Sequence, residues 1–221
     1  MNIGILGGTG KEGSGLAYRW ALAGHNVTIG SRDAAKAAAG AAELNQLLAA
    51  NASAATVRGG GNDTVADADV IVLTVPFAAQ MATAESVAAK LAGKIFVDVT
   101  VPLAPPKVDR VQLPNGESAV VALQRKLGPQ VKVVSAFQNV SATHLKEPGH
   151  TVDCDVLVCG DDADAREVVV GLAHDAGLNA WHAGVLANSI AAEALTSVLI
   201  AINKRYKVAG SGIRITGVPA K

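Results

Sequence analysis

Aromatic residues make up 3% of this 221-residue chain, too few for a platform on which nucleobases would stack, so no nucleic-acid partner is expected. Neither charge is in excess. Lys+Arg and Asp+Glu number 19 each, which leaves no net field to draw a polyanion or a membrane surface. No run of about 18 uninterrupted apolar residues occurs, and the chain opens on a strand pattern without a charged leader. A soluble, cytoplasmic protein with no membrane partner is the expectation. Cysteine is scarce. Cys154 and Cys159 fall on opposite faces of one strand pattern, so buried thiols are expected rather than a disulfide or a metal pair. His144, His150, His174 and His182 are scattered without a partner at metal-ligand spacing, so no metal site is expected. A Ser-His-Asp set and a paired-carboxylate motif are also missing, and no acid–base residue is named.

Glycine is abundant at 23 residues, and its placement carries the first positive signal. Ile3-Gly4-Ile5-Leu6 is an apolar strand pattern that runs into Gly8-x-Gly10-x-x-Gly13. A helical pattern follows (Leu16, Ala17, Trp20, Ala21), then Gly24-His25-Asn26 and a new strand, Val27-Thr28-Ile29. In such a turn the free N–H groups and dipole of a helix N-terminus receive a dinucleotide pyrophosphate. Gly8 is expected to make the tight turn, Gly10 to admit the pyrophosphate, and Gly13 to let the helix pack on the sheet.

A second strand ending in Asp or Glu would mark NAD, through the ribose 2′-hydroxyl. Gly30-Ser31-Arg32 stands at that place. Arg32 supplies a planar cation for a phosphorylated ribose, Ser31 a hydroxyl, and Lys36 a second cation, so NADP is expected over NAD. The plainer alternative is that Ser31 and Asp33 only cap the next helix and Arg32 is solvated.

Strand and helix patterns then alternate. Ala34–Ala50 reads as a helix, Ala55-Thr56-Val57 as a short strand, and Gly59-Gly60-Gly61 as a loop. Val70–Val75 is a buried strand stopped by Pro76, followed by a helix over Phe77–Leu91 and a strand over Ile95–Val99. Pro102, Pro105, Pro106 and Pro114 mark a long loop at a strand's carboxyl end, where ligands sit in such folds. A helix over Ser118–Leu127, strands over Val131–Phe137 and Asp155–Cys159, a helix opened by Asp161 and Asp162, and a strand over Gly177–Ala180 follow. The last helix, Leu186 to about Lys207, opens on Asn188 and Ser189 as capping residues. It is apolar over a wide arc (Ile190, Ala194, Leu195, Val198, Leu199, Ile202), which suits burial against a second subunit of a homodimer. The expected fold class is α/β, a doubly wound Rossmann-type parallel sheet with a small C-terminal helical appendage. Residues 1–184 form the NADP-binding domain, and 185–221 the helix and tail covering the substrate cleft.

Gly7-Gly8-Thr9-Gly10, Gly30-Ser31-Arg32, Thr74-Val75-Pro76-Phe77, Val134-Ser135-Ala136-Phe137, Val158-Cys159-Gly160-Asp161-Asp162 and Gly212-Ile213-Arg214-Ile215-Thr216-Gly217 together resemble, in order, blocks of the NADPH-dependent reductases of coenzyme F420, an 8-hydroxy-5-deazaflavin. Many dehydrogenases share the glycine turn; the combination is far more specific. The resemblance implies an oxidoreductase that passes hydride between NADP(H) and coenzyme F420, its small-molecule cosubstrate. It implies that Thr9, Gly10, Lys11 and Glu12 border the pyrophosphate and that Ser31, Arg32 and Lys36 hold the 2′-phosphate. Thr74, Val75, Pro76 and Ala78 would lie at the nicotinamide end, with Val101 and Ala136 near the ring, where alanine leaves room for a second flat ring to stack. Both cofactors carry their own reactivity, so the protein's task is to hold two rings face to face at about 3–3.5 Å and keep water out.

One position departs from the pattern: many family members carry histidine where this chain has Gln138, which donates and accepts hydrogen bonds but cannot be charged. Two alternatives stand beside this reading. One is an NADPH-dependent reductase of a flavin, quinone, or small carbonyl or imine, the carbonyl case needing a proton donor near the nicotinamide. The other is a non-catalytic NADP(H)-binding sensor. The basic tail (Lys204, Arg205, Lys207, Arg214) either compensates a helix C-terminus or attracts the anionic tail of the deazaflavin.

Overall fold

Strands and helices alternate through residues 1–218, the part that the computed structural model describes. They are β1 (Asn2–Leu6), α1 (Lys11–Leu22), β2 (Asn26–Ser31), α2 (Ala34–Ala50), β3 (Val57–Gly61), α3 (Asn62–Val65), β4 (Val70–Leu73), α4 (Phe77–Val87), β5 (Ile95–Asp98), α5 (Ala119–Leu127), β6 (Lys132–Ser135), β7 (Asp155–Gly160), α6 (Ala163–Asp175), β8 (Asn179–His182) and α7 (Ser189–Tyr206). Residues 219–221, the end of the expected C-terminal unit, lie outside the described residues.

The strands form one sheet in the order β3-β2-β1-β4-β5-β6-β7-β8. β1 to β6 run parallel, which is the doubly wound arrangement with its order reversing between β1 and β4. Alternate residues feed two cores. Ile3, Ile5, Val72, Val97 and Val134 meet α1, α2 and α6 on one face, and Ile71, Leu73, Phe96 and Val133 meet α4 and α5 on the other. Both faces are covered, so these strands read as unbroken apolar runs rather than alternating ones.

Two features differ from the sequence reading. Gly59-Gly60-Gly61 is not a loop but the body of β3, paired in parallel with Ile29, Gly30 and Ser31 of β2. Glycine is needed there because α2 passes directly over it: a Cβ on Gly59 would lie 2.3 Å from Ala37 O. The second feature is direction. β7 runs antiparallel to β6, and β8 follows β7. The segment between β6 and β7 holds only a 3₁₀ turn at Ala142–His144. A parallel crossover is usually made by a returning helix, and here, without one, the chain re-enters the sheet reversed.

Leu186–Tyr206 is long and apolar enough to cross a bilayer by length and composition. One face of it packs on the rest of the fold. Glu193 is buried against the start of α5, and Thr196 Oγ1 donates to Gln138 O at 2.7 Å. The two cysteines are free and buried, as expected.

Candidate functional site

The carboxyl ends of β1 and β4 meet at the point where strand order reverses, and there the chain makes an unusually close junction. Leu6 O, at the end of β1, accepts from both the backbone N–H (2.9 Å) and the hydroxyl (3.0 Å) of Thr74. The tight turn falls on Gly7 (φ 79°), one residue before the glycine expected to make it. Gly13 does what was expected of it: a Cβ there would lie 2.4 Å from Thr74 Oγ1. The glycine turn and the Thr74-Val75-Pro76 segment are thus one structural unit, and Thr9, Gly10, Lys11 and Glu12 stand beside it.

The start of each helix shows where ligand-binding capacity is left. α2, α5 and α6 begin on Asp33, Ser118 and Asp162, whose side chains accept from first-turn N–H groups. α1, α3, α4 and α7 have no side-chain cap, and of these α1, beginning on Gly10, and α4, beginning on Pro76, start at the switch point. In α4 the N–H of Ala79 donates to Pro76 O at 2.8 Å; the other first-turn donors of α1 and α4, the two helices that leave β1 and β4, remain for an anion or polar group at the switch point. This arrangement fits a dinucleotide.

Glu12 lies in that first turn. It is only partly exposed, and the protein around its carboxyl pushes its pKa up to about 8.

At the end of β2 the electrostatics are equally specific. Asp33 Oδ1 accepts from Ala35 N (2.9 Å) and Lys36 N (3.3 Å), so this carboxylate is committed to capping α2. Its cap role follows the plainer sequence reading. Arg32 and Lys36 are exposed, and neither pairs with a carboxylate among the described residues. Ser31 Oγ accepts from Asp33 N at 3.2 Å and is half-buried beside them.

Farther along the switch point, Pro76 and Ala78 are exposed and Thr74, Val75 and Val101 half-buried, all able to line a ligand. Ala136 is different. It is 0% exposed and enclosed in the core with Phe137 and Val134, so its side chain faces no open surface. Its small size is required first by packing.

Beneath this end lies a polar cluster centred on Asp98, the last residue of β5. Its carboxylate accepts from Gln80 Nε2 of α4 and from Thr100 N (2.9 Å), while its backbone oxygen accepts from Gln138 Nε2 (2.7 Å). Burial pushes Asp98 up to about 6, against the lowering effect of these donors. Thr100 Oγ1, Ser135 Oγ and Gln138 Oε1 are buried there without protein partners. The carboxyl ends of β5 and β6 thus hold unmet hydrogen-bonding capacity.

The family model for coenzyme F420-dependent NADP oxidoreductases matches residues 2–102. The F420-dependent NADP reductase of Methanothermobacter thermautotrophicus is 41% identical over 225 residues, covering 99% of this chain and 96% of that protein. The chain belongs to the F420-dependent NADP reductase family. The Methanocaldococcus jannaschii reductase is 40% identical over 99% of both proteins. A crystal structure of a candidate F420-dependent NADP reductase from Arthrobacter sp. FB24 superimposes with a TM-score of 0.78 at 30% identity, covering 97% of this chain and 98% of that one. Pyrroline carboxylate reductase from Plasmodium falciparum shares the fold alone, at 14% identity and a TM-score of 0.53 over 82% of this chain and 58% of that one.

Within this family fold, several side chains have roles that the sequence reading missed. Asn188 and Ser189 do not cap α7. Asn188 Nδ2 donates to Ala183 O, and Ser189 Oγ lies 2.7 Å from Ser118 Oγ in a buried cluster around Glu193. Asp162 caps α6 as expected, whereas Asp161 accepts from Leu186 N at 2.9 Å and anchors the turn before α7. In the tail, Lys204 pairs with Asp109 and Arg214 with Asp153, both at 2.8 Å. The histidines are not all scattered: His144, Glu147 and His150 come together on the β6–β7 connection. Their His-x-x-Glu-x-x-His spacing was visible in the sequence, but only a turning backbone makes neighbours of residues six apart outside a helix.

Proposed function

We propose that this chain transfers hydride between NADP(H) and coenzyme F420. The observation that carries the cofactor half is at the end of β2, where Asp33 is spent on capping α2 while Arg32 and Lys36 stand free for a 2′-phosphate. Near full-length similarity to reductases named for F420 supports the acceptor half.

The nicotinamide and the deazaflavin supply the hydride chemistry when both are bound. The protein's part is placement. The uncapped amides at the start of α1, bordered by Thr9, Gly10, Lys11 and Glu12, bind the pyrophosphate. Ser31, Arg32 and Lys36 hold the 2′-phosphate. Thr74, Val75, Pro76, Ala78 and Val101 support the nicotinamide end, with Ala136 fixing the backbone just beneath it through its N–H to Asp98 O at 3.3 Å. Residues 1–184 provide this cofactor domain, and α7 with the tail closes the acceptor cleft, where Arg205 and Lys207 attract an anionic acceptor. Reduction of the deazaflavin by hydride also takes up one proton, and no side chain is assigned to deliver it.

The same reading includes a cytoplasmic homodimer without nucleic-acid or membrane partners. Val198, Ile202 and Tyr206 support it, forming an exposed stripe at four-residue spacing along α7.

The deciding experiment mixes purified protein anaerobically with NADPH and oxidised coenzyme F420 and follows loss of the deazaflavin absorbance. Enzyme-dependent bleaching, with NADH much poorer, is expected. Tight NADPH binding without bleaching would reject the acceptor and keep the cofactor.

A further inference from the structure

We propose that His144, Glu147 and His150 form a binding site for a divalent transition-metal ion of the zinc type, on the connection between β6 and β7. Their ligand atoms all lie within 4.8 Å of one another. His144 Nδ1 is 2.9 Å from Glu147 Oε1, and His150 Nδ1 is 3.4 Å from Glu147 Oε2. Metal–ligand bonds of about 2.0–2.1 Å at tetrahedral angles set ligand atoms about 3.3 Å apart. The carboxylate already stands between the two imidazoles at close to that spacing.

The backbone of this segment is held from below by one side chain. Arg19 of α1 donates from Nη2 to His144 O (3.4 Å) and His150 O (2.9 Å), from Nε to Leu145 O (2.8 Å), and from Nη1 to Ala176 O (2.9 Å). Leu145 is 0% exposed and packs against Gly15 of α1. Both ends of the seven-residue span are thereby fixed, while the three side chains contact one another. The imidazole rings are stacked, centroids 4.5 Å apart and planes 23° from parallel, so one ring must turn for both to aim a nitrogen lone pair at the same ion.

The remaining coordination positions open to water, since the three side chains are 32%, 52% and 39% exposed in chain order. Two imidazoles and one carboxylate favour Zn2+, Co2+, Ni2+ or Cu2+ over Mg2+ or Ca2+, which prefer all-oxygen shells. None of the three ligands is among the proposed cofactor-binding residues, although Lys146 of the same turn lines a cavity with Gly8 and Thr9; the proposal does not depend on the hydride-transfer reading. A bound ion would close the β6–β7 connection on itself, above the Arg19 hydrogen bonds that tie its backbone to α1.

Full-length protein stripped with chelator is titrated with Zn2+, and separately with Co2+, whose visible spectrum reports coordination by protein nitrogen. Retention of one ion per chain through desalting is expected, with a higher melting temperature in Zn2+. Glu147→Gln and His150→Ala, both on the surface, should each weaken Zn2+ by about tenfold or more and abolish the melting shift. Wild-type protein that retains no ion, or variants that lose less than about tenfold, would overturn the proposal.

Discussion

Glu193 Oε1 accepts a hydrogen bond from Ser118 Oγ at 2.6 Å, joining α7 to the residue that opens α5. The other oxygen accepts from Ala119 N at 2.8 Å, so a side chain from one helix caps another. Burial pushes the Glu193 pKa up in spite of these donors. Glu193→Ala leaves buried N–H and hydroxyl groups unpaired and is expected to cost about 2–4 kcal/mol, read from urea unfolding. A loss within error of zero would mean that water replaces the carboxylate freely.

Arg32→Ala should weaken NADPH about ten- to a hundredfold, the range for one charge-assisted hydrogen bond of about 1.5–3 kcal/mol, and leave NADH nearly unchanged. Direct titration of both nucleotides checks it. Equal losses would take the 2′-phosphate away from Arg32.

Glu12 gives a pH signature. Its folded pKa of about 8 lies above its ordinary 4.5, so the folded state holds a proton that the unfolded state has released. Its stability contribution is complete below the ordinary value and is lost as pH rises from 4.5 to about 8. Above that, an ionised carboxylate would stand beside the proposed pyrophosphate site. NADPH affinity should therefore fall through pH 8 in the wild type, and Glu12→Gln should flatten both trends. Parallel pH profiles for the two proteins would remove Glu12 from the site.

Ala136→Leu forces extra methylenes into an enclosed position. A loss of about 1–3 kcal/mol is expected, seen as a lower melting temperature in the absence of any nucleotide. An unchanged melting temperature would show slack in the core that its burial does not suggest.

Ile202→Asp places a charge in the exposed stripe of α7. Light scattering should show a dimer for the wild type and a monomer for the variant. A monomer in both cases would retire the homodimer.

Much of this was legible because the informative residues are local. An apolar strand, a glycine turn and a helix start are contiguous, and so are Gly30, Ser31 and Arg32. What escaped sequence reading depends on residues far apart in the chain. Asp98 shows as an acid ending an apolar strand, but Gln80 and Gln138 reach it across 18 and 40 positions. Glycines 59–61 look like a loop until α2 is seen lying over them. Ala136 was expected near the ring for its size, and the core accounts for that size as well.

The reversal of β7 has a consequence of parity. In an unbroken parallel winding, every helix descends from the ligand-bearing edge toward the opposite one, and a terminal helix would finish far from the cofactors. Here α7 starts from the other end, where Asp161 holds Leu186 and Asp162 pairs with Lys132 at the foot of β6. It climbs to Gln138 and to Asp109 of the long loop after β5. One omitted helix therefore decides which edge of the sheet the end of α7 reaches.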